Sequence, residues 1–308
     1  MGRSPETYGT TMVRPDDFDA FWDDVLAQAD RIPLNATAER VAMRSTPEVD
    51  VYDVHYDSID GVRIAGWYCV PAKRKGRVPA LLQVPGYISD PAIPKATARA
   101  GYAAFAAAPR GKVRSNAQYN PGYPGLLTHN MVDRNTYVYR GFYIDAVRAF
   151  DFLTNREEVD PDRIGVTGSS QGGGLTLAVS ALRPSRVRAA AAGAPYLVGF
   201  MDAIELTHTY PYQEIRDYLR MYPDRAAAVR QTLSYFDGIH FGPRITCPII
   251  VNIGLQDNVC PPETGYATFK TIASKDKQLY PYDGHGHDAG RVHHQPVVDA
   301  FFKKHLNP

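Results

Sequence analysis

The chain has 308 residues, 44% of them hydrophobic, with 34 Lys and Arg against 33 Asp and Glu. That composition can bury one large core, but its near-zero net charge gathers neither a nucleic-acid backbone nor an anionic lipid surface, so neither partner is expected. Cys69, Cys247 and Cys260 are odd in number and include no CxxC pair, which fits reduced core thiols in a cytoplasmic protein rather than a disulfide framework. Met1 to Thr11 shows no basic region followed by an apolar run, and Glu6 breaks the myristoylation pattern. No stretch approaches the ~20 apolar residues of a membrane span.

From Asp16 to Asp30, Phe18, Phe21, Trp22, Val25 and Leu26 recur at helical spacing, which predicts an amphipathic helix in an N-terminal helical extension of about 14–45. Val51 to Tyr56 alternates as a strand does, Val62 to Val70 is rich in β-formers, and Asp60-Gly61 between them signals a tight turn. Short apolar runs follow at Ala80 to Val84, Ala103 to Ala107, Ile164 to Thr167 and Pro248 to Ile253, with Gln278 to Tyr282 as a last strand. Runs of that length, apolar on both faces, suit a parallel sheet covered by helices. Tyr137 to Asn155 and Val297 to Leu306 read as flanking helices, and Phe200 to Gly238, which has no strand-like run, as a helical insertion over the sheet edge. No repeat or low-complexity linker divides the chain, so the expectation is a single α/β domain over 1–308, a mostly parallel sheet with an antiparallel start.

Directly after the run Ile164 to Thr167 comes Gly168-Ser169-Ser170-Gln171-Gly172, which fits G-x-S-x-G, and a helix-forming run follows from Leu175. A nucleophilic serine lifted out of a sheet on a sharp strand-to-helix turn needs glycine two residues before and after it, where side chains would strike neighbouring backbone. Ser170 is thus the candidate nucleophile. The N–H of Gln171, at the start of the helix, is an expected donor to a developing oxyanion.

A Ser, Asp, His chain order requires an acid after a later strand and a histidine after the last one. Asp257, in Gly254-Leu255-Gln256-Asp257-Asn258, occupies the first place; Asp276 and Asp283 compete but read as solvated aspartates. For the base, His285, His287, His293 and His294 all follow the last strand. His285 lies nearest the strand end and follows a glycine, so it is preferred. The same histidines with Asp288 also resemble a ligand set, but the elbow already requires a histidine here and no HExxH or cysteine partner accompanies them, so no metal is expected.

These motifs, together with Asp17-Phe18-Asp19-Ala20-Phe21-Trp22, Leu233-Ser234-Tyr235-Phe236-Asp237-Gly238, Asp257-Asn258-Val259-Cys260-Pro261-Pro262 and Tyr280-Pro281-Tyr282, run through nearly the whole chain. In them it resembles the acetyl xylan esterases and cephalosporin C deacetylases of carbohydrate esterase family seven, within the α/β-hydrolase superfamily. The resemblance implies a metal- and cofactor-independent serine esterase for acetyl esters of small hydroxylated substrates, such as acetylated xylo-oligosaccharides or cephalosporin C. It implies a triad of Ser170, Asp257 and His285, and an oxyanion hole from the N–H groups of Gln171 and Tyr87, the latter closing Gln83-Val84-Pro85-Gly86-Tyr87. It also implies a hexamer.

Two departures accompany the resemblance. Lys112 stands where the family has glutamine after Arg-Gly, which removes a hydrogen-bond acceptor from the support of the neighbouring loop. Ile88-Ser89-Asp90-Pro91, on the acyl or alcohol side of the pocket, lacks the family's glycines. An esterase of altered substrate range, or a prolyl-peptidase-like hydrolase with the same elbow, are the alternatives; no propeller-blade repeat supports the second.

Overall fold

In the computed structural model, which describes residues 4–308, the first helix forms where the apolar spacing predicts it. Helix α1 (Phe18–Asp30) buries Phe18, Trp22, Val25, Leu26 and Ala29. Phe21, from the same stripe, stays half-buried and meets the Tyr235 ring edge-on at 5.1 Å. The myristoylation reading at Met1 and Gly2 lies outside the described residues.

An antiparallel meander follows: β1 (Thr37–Arg40), β2 (Val49–Asp57) and β3 (Arg63–Pro71). The first of these strands is absent from the sequence reading because Thr-Ala-Glu-Arg has no apolar alternation; it is a mostly exposed edge held by pairing with β2. Between β2 and β3, Asp60 and Gly61 turn the chain with φ of 63° and 70°.

The chain then winds through β4 (Val78–Gln83), α2 (Lys95–Arg99), β5 (Ala103–Ala108), α3 (Val138–Thr154), β6 (Val159–Ser169), α4 (Gln171–Leu182) and β7 (Ala189–Gly193). Helices α5 (Phe200–Leu206), α6 (Gln213–Met221) and α7 (Ala226–Ser234) make up the expected insertion. After α8 (Gly238–Phe241) come β8 (Ile249–Gly254), α9 (Pro262–Thr271), β9 (Lys277–Tyr282) and α10 (Arg291–Leu306). The sheet order is β1-β2-β3-β5-β4-β6-β7-β8-β9, antiparallel up to the β3–β5 pair and parallel beyond it. This is the expected α/β fold.

Strand β7 was not predicted. Its sequence, Ala-Ala-Ala-Ala-Gly, favours helix locally, and tertiary pairing between β6 and β8 overrides that preference. Small side chains serve a purpose there: a Cβ on Gly173 of α4 would lie 2.4 Å from the Gly193 carbonyl, so helix and strand meet backbone to backbone.

Side chains alternate between two cores. Ala80, Leu82, Ala190 and Ala192 face the larger one, with α1, α3, α4 and the insertion, while Leu81, Ala189 and Ala191 face a smaller one closed by Phe302 and Leu306 of α10.

The insertion is tied down by buried carboxylates. Asp237 is fully buried, caps α8 through Ile239 N–H at 3.0 Å, and accepts from Gly199 N–H at 2.8 Å and Phe200 N–H at 2.9 Å. Trp22 donates its indole N–H to the Tyr235 carbonyl at 2.7 Å, which joins α1 to the same region.

The meander is held to the helical face by Arg110 and Asp145. Asp145, on α3 and fully buried, accepts from Arg110 Nε at 2.9 Å and Nη2 at 3.0 Å, and from Ser58 Oγ at 2.5 Å. Asp60 also reaches Arg110 at 2.9 Å but is half exposed. Removing Asp145 strands a buried guanidinium, so Asp145→Ala should lower unfolding free energy by about 3–5 kcal/mol in urea titration. A loss below about 1 kcal/mol would show that Asp60 alone compensates the charge.

Candidate active site

Ser170 sits between the end of β6 and the start of α4 with φ 60° and ψ −122°, a conformation that non-glycine residues rarely adopt. Surrounding bonds enforce it. Ser170 N–H donates to the Gly193 carbonyl at 2.9 Å, and Ser170 O accepts from Gly174 N–H at 3.2 Å and Tyr196 N–H at 3.0 Å. The two elbow glycines are required by space: a Cβ at Gly168 would lie 2.6 Å from the Val84 carbonyl, and one at Gly172 would lie 2.4 Å from it.

Asp257 follows β8, its side chain almost fully buried. One carboxylate oxygen accepts from Val259 N–H at 2.8 Å and Cys260 N–H at 2.9 Å; the other lies 2.9 Å from Nδ1 of His287.

The preference for His285 is corrected by this geometry. Asp257 pairs with His287, while His285 turns to the rim, its Nδ1 2.7 Å from Asp288 and its ring edge-on to Tyr282 and His293. The cause is the lacing between the β8 end and the histidine loop. Gln256 N–H binds the His285 carbonyl at 2.9 Å, Gln256 Oε1 accepts from Gly284 N–H at 2.7 Å, and a Cβ on Gly254 would lie 2.0 Å from the Gly286 carbonyl. These contacts pin residue 285 beside the strand, and the loop delivers the imidazole two residues later. Proximity to the strand end was therefore the wrong criterion.

Cys260 joins the pieces. Single donor atoms of Asp257, Cys260 and His287 all lie within 4.8 Å of one another, and the Ser170 side chain is near enough to the Cys260 thiol to favour its ionised form. Ser170, Asp257 and His287 thus converge on one place. Burial pushes the Cys260 thiol well above the usual range, which keeps it protonated and leaves the hydroxyl, not the sulfur, as the group to activate. Among the described residues Asp257, Cys260 and His287 form the one set of metal-type donors; it shares only His287 with the His285, His287, His293, His294 and Asp288 grouping suggested by the sequence. Sulfur, nitrogen and oxygen donors could hold a borderline-soft divalent ion.

The loop after β4 carries Tyr87. Its hydroxyl donates to Glu214 of α6 at 2.6 Å and accepts from Leu127 N–H at 3.0 Å. Burial raises the Glu214 carboxyl above its ordinary range. The Gln171 side chain, unremarked in the sequence, spans from the elbow to this loop: Tyr139 donates to its Oε1 at 2.7 Å, and its Nε2 donates to the Gly86 carbonyl at 3.2 Å. Its backbone N–H belongs to the first turn of α4, whose donors the helix cannot satisfy itself. Lys112 does not leave the loop unsupported. Where an acceptor was expected to be lost, its ammonium donates to Gly86 O at 2.6 Å and to Tyr87 O.

Comparison with known proteins matches the chain along nearly its whole length. The acetyl xylan esterase (AXE1) family profile covers residues 4–306. The chain belongs to this family. It is 36% identical to an acetyl xylan esterase from Paenibacillus sp. R4, with a TM-score of 0.90 over 98% of both chains. With acetyl xylan esterase 1 from Thermoanaerobacterium sp. JW/SL YS485 it shares 29% identity and a TM-score of 0.88 over 97% of both. Acetyl esterase Axe7A of Xylanibacter ruminicola is 30% identical over 305 residues, 92% of this chain; the chain spans 66% of that protein's length. Within this AXE1-family member, Tyr139, Glu214 and the Gln171 side chain had no motif to reveal them, since each acts through a contact distant in sequence, while Cys260 stood in the Asp257 to Pro262 motif with nothing local to show its place beside His287.

The two histidines can be told apart by kinetics. His287→Ala should reduce kcat on p-nitrophenyl acetate by several orders of magnitude, whereas His285→Ala should stay within roughly tenfold of wild type. The reverse ranking in folded variants would restore His285 as the base.

Proposed function

We propose that this chain is a serine carboxylesterase that removes acetyl groups from small hydroxylated compounds. The reading is carried by the 2.9 Å bond between Asp257 and His287 beside the strained Ser170 elbow. Ser170 Oγ attacks the acyl carbonyl while His287 takes its proton, and Asp257 fixes the tautomer and stabilises the imidazolium. The tetrahedral oxyanion is met by the N–H groups of Tyr87 and Gln171. Collapse expels the alcohol, which receives the proton from His287. Water, deprotonated by the same imidazole, then releases acetate from Ser170.

Acetyl as the acyl group is supported by the names of the similar proteins, acetyl xylan esterases and an acetyl esterase. Acetylated xylo-oligosaccharides and cephalosporin C enter as substrates on family resemblance, and the glycine-poor loop at Ile88 to Pro91 is the place where the range would differ. The three free, buried cysteines support a reducing, cytoplasmic setting.

An acyl-length series on one alcohol tests the reading. Turnover should favour p-nitrophenyl acetate over the octanoate, aminoacyl p-nitroanilides should be left intact, and EDTA should change nothing. Preference for octanoate would reject the acetyl assignment, and activity that returns only on adding zinc would reject the metal-free triad.

The assembly belongs to the same proposal: a hexamer, by family resemblance. Light scattering at micromolar concentration should give a mass about six times the 34.1 kDa chain. A monomer mass rejects it.

A further inference from the structure

We infer that Lys112 is a positioning residue for the oxyanion hole: its ammonium fixes and polarises the Gly86–Tyr87 peptide, whose N–H meets the developing negative charge. The inference rests on the reading of Tyr87 N–H as an oxyanion donor and adds a group that the elbow and triad do not contain.

Lys112 follows β5 in Arg110-Gly111-Lys112 and is 1% exposed. Its Nζ donates to Gly86 O at 2.6 Å and to Tyr87 O, and lies 5.3 Å from the centre of the Tyr123 ring. Among the described residues no carboxylate pairs with it; Asp90 acts on it only at longer range. Burying a cation that finds carbonyls instead of an anion is costly, and burial brings its pKa down to about 7. A lysine whose only task was to fill space here could be replaced by methionine without that cost.

What the ammonium does follows from peptide geometry. Gly86 O and Tyr87 N–H are opposite ends of one planar unit, so a bond that fixes the oxygen also fixes the direction of the N–H. Gly86 O receives Lys112 Nζ and, from the elbow side, Gln171 Nε2 at 3.2 Å. Two donors on one carbonyl hold the plane against rotation. They also draw electron density along the amide, which makes the N–H at its other end a stronger donor. The Tyr87 ring is anchored separately by Glu214 and Leu127, so Lys112 acts on the backbone alone. Because a neutral amine keeps two N–H bonds for the two carbonyls, the positioning does not depend on the charge state.

A packing role and a positioning role separate in kinetics. Full-length wild type, Lys112→Met and Lys112→Gln are compared for kcat and KM on p-nitrophenyl acetate, for thermal midpoint, and for affinity toward a trifluoromethyl ketone, which adds to the serine and leaves an oxyanion. Lys112→Met should lose about 10²-fold in kcat, near the loss from removing an oxyanion donor. Its KM should stay within about threefold, and its ketone affinity should fall in parallel with kcat. Lys112→Gln, which keeps an N–H for one carbonyl, should recover about tenfold of that loss but not all of it. If Lys112→Met does not fold, the remaining loss in Lys112→Gln, again with ketone affinity in step, carries the test. Wild-type kcat in either variant, or a loss confined to KM and thermal midpoint, overturns the inference. Fluorophosphonate labelling of the wild type keeps the two ideas distinct. An unlabelled, inactive wild type defeats the esterase reading, whereas a labelled, active one with unchanged Lys112→Met defeats only the role of Lys112.

Discussion

A Cβ on either side of the nucleophile position would sit within 2.6 Å of the Val84 carbonyl, and the rest of the site depends on that steric limit being met by Gly168 and Gly172. Because the elbow can press against the end of β4, the first turn of α4 lies beside the loop that leaves β4. The Gln171 side chain can then bond to Gly86 across the gap. The same closeness on the other side brings Gly173 against Gly193 and explains a strand made almost entirely of alanine. Strain at Ser170, with φ 60°, is held by three backbone bonds rather than relieved.

Around this steric centre the polar groups divide into two sets. On the acid side, Asp257 spends one oxygen on its own loop, through Val259 and Cys260, and the other on His287. Its orientation is therefore fixed before any substrate arrives. On the side of the proposed oxyanion donors, the Gly86 and Tyr87 carbonyls are held by Lys112, and the tyrosine ring by Glu214 from the insertion. Each set is anchored by residues from at least two separate elements, which is the arrangement preorganised electrostatics requires.

The N-terminal extension and the insertion are thus part of the support of the site. Glu214 of α6 reaches Tyr87 and Gly125, and α6 belongs to a segment clamped by the buried Asp237 on Gly199 and Phe200. Helix α1 closes this layer through Trp22 and Tyr235, and Thr10 and Thr11 bind Asp202 of α5. The motif Ser234-Tyr235-Phe236-Asp237-Gly238, read at first only as a likeness, has these bonds as its physical content.

The amino-acid sequence by itself determined the α/β class, the antiparallel start, the placement of most strands and helices, and Ser170 on its elbow, because these follow from local periodicity and from glycines that only close backbone contact explains. Asp257 was legible from its place after an apolar strand, and it stands just past β8 with His287 against its carboxylate. Tertiary structure decided what depends on pairing between distant segments. It made a strand of Ala189–Gly193 despite local helix preference and an edge strand of Thr37–Arg40 without an apolar pattern. It also turned Lys112 from a lost acceptor into a donor. Above all it separated His285 from His287. Both stand in the same glycine-rich loop with the same local chemistry, and the choice was made by Gln256 holding the carbonyl of residue 285 against the end of β8. A long-range backbone bond of that kind leaves no trace in the spacing of residues along the chain.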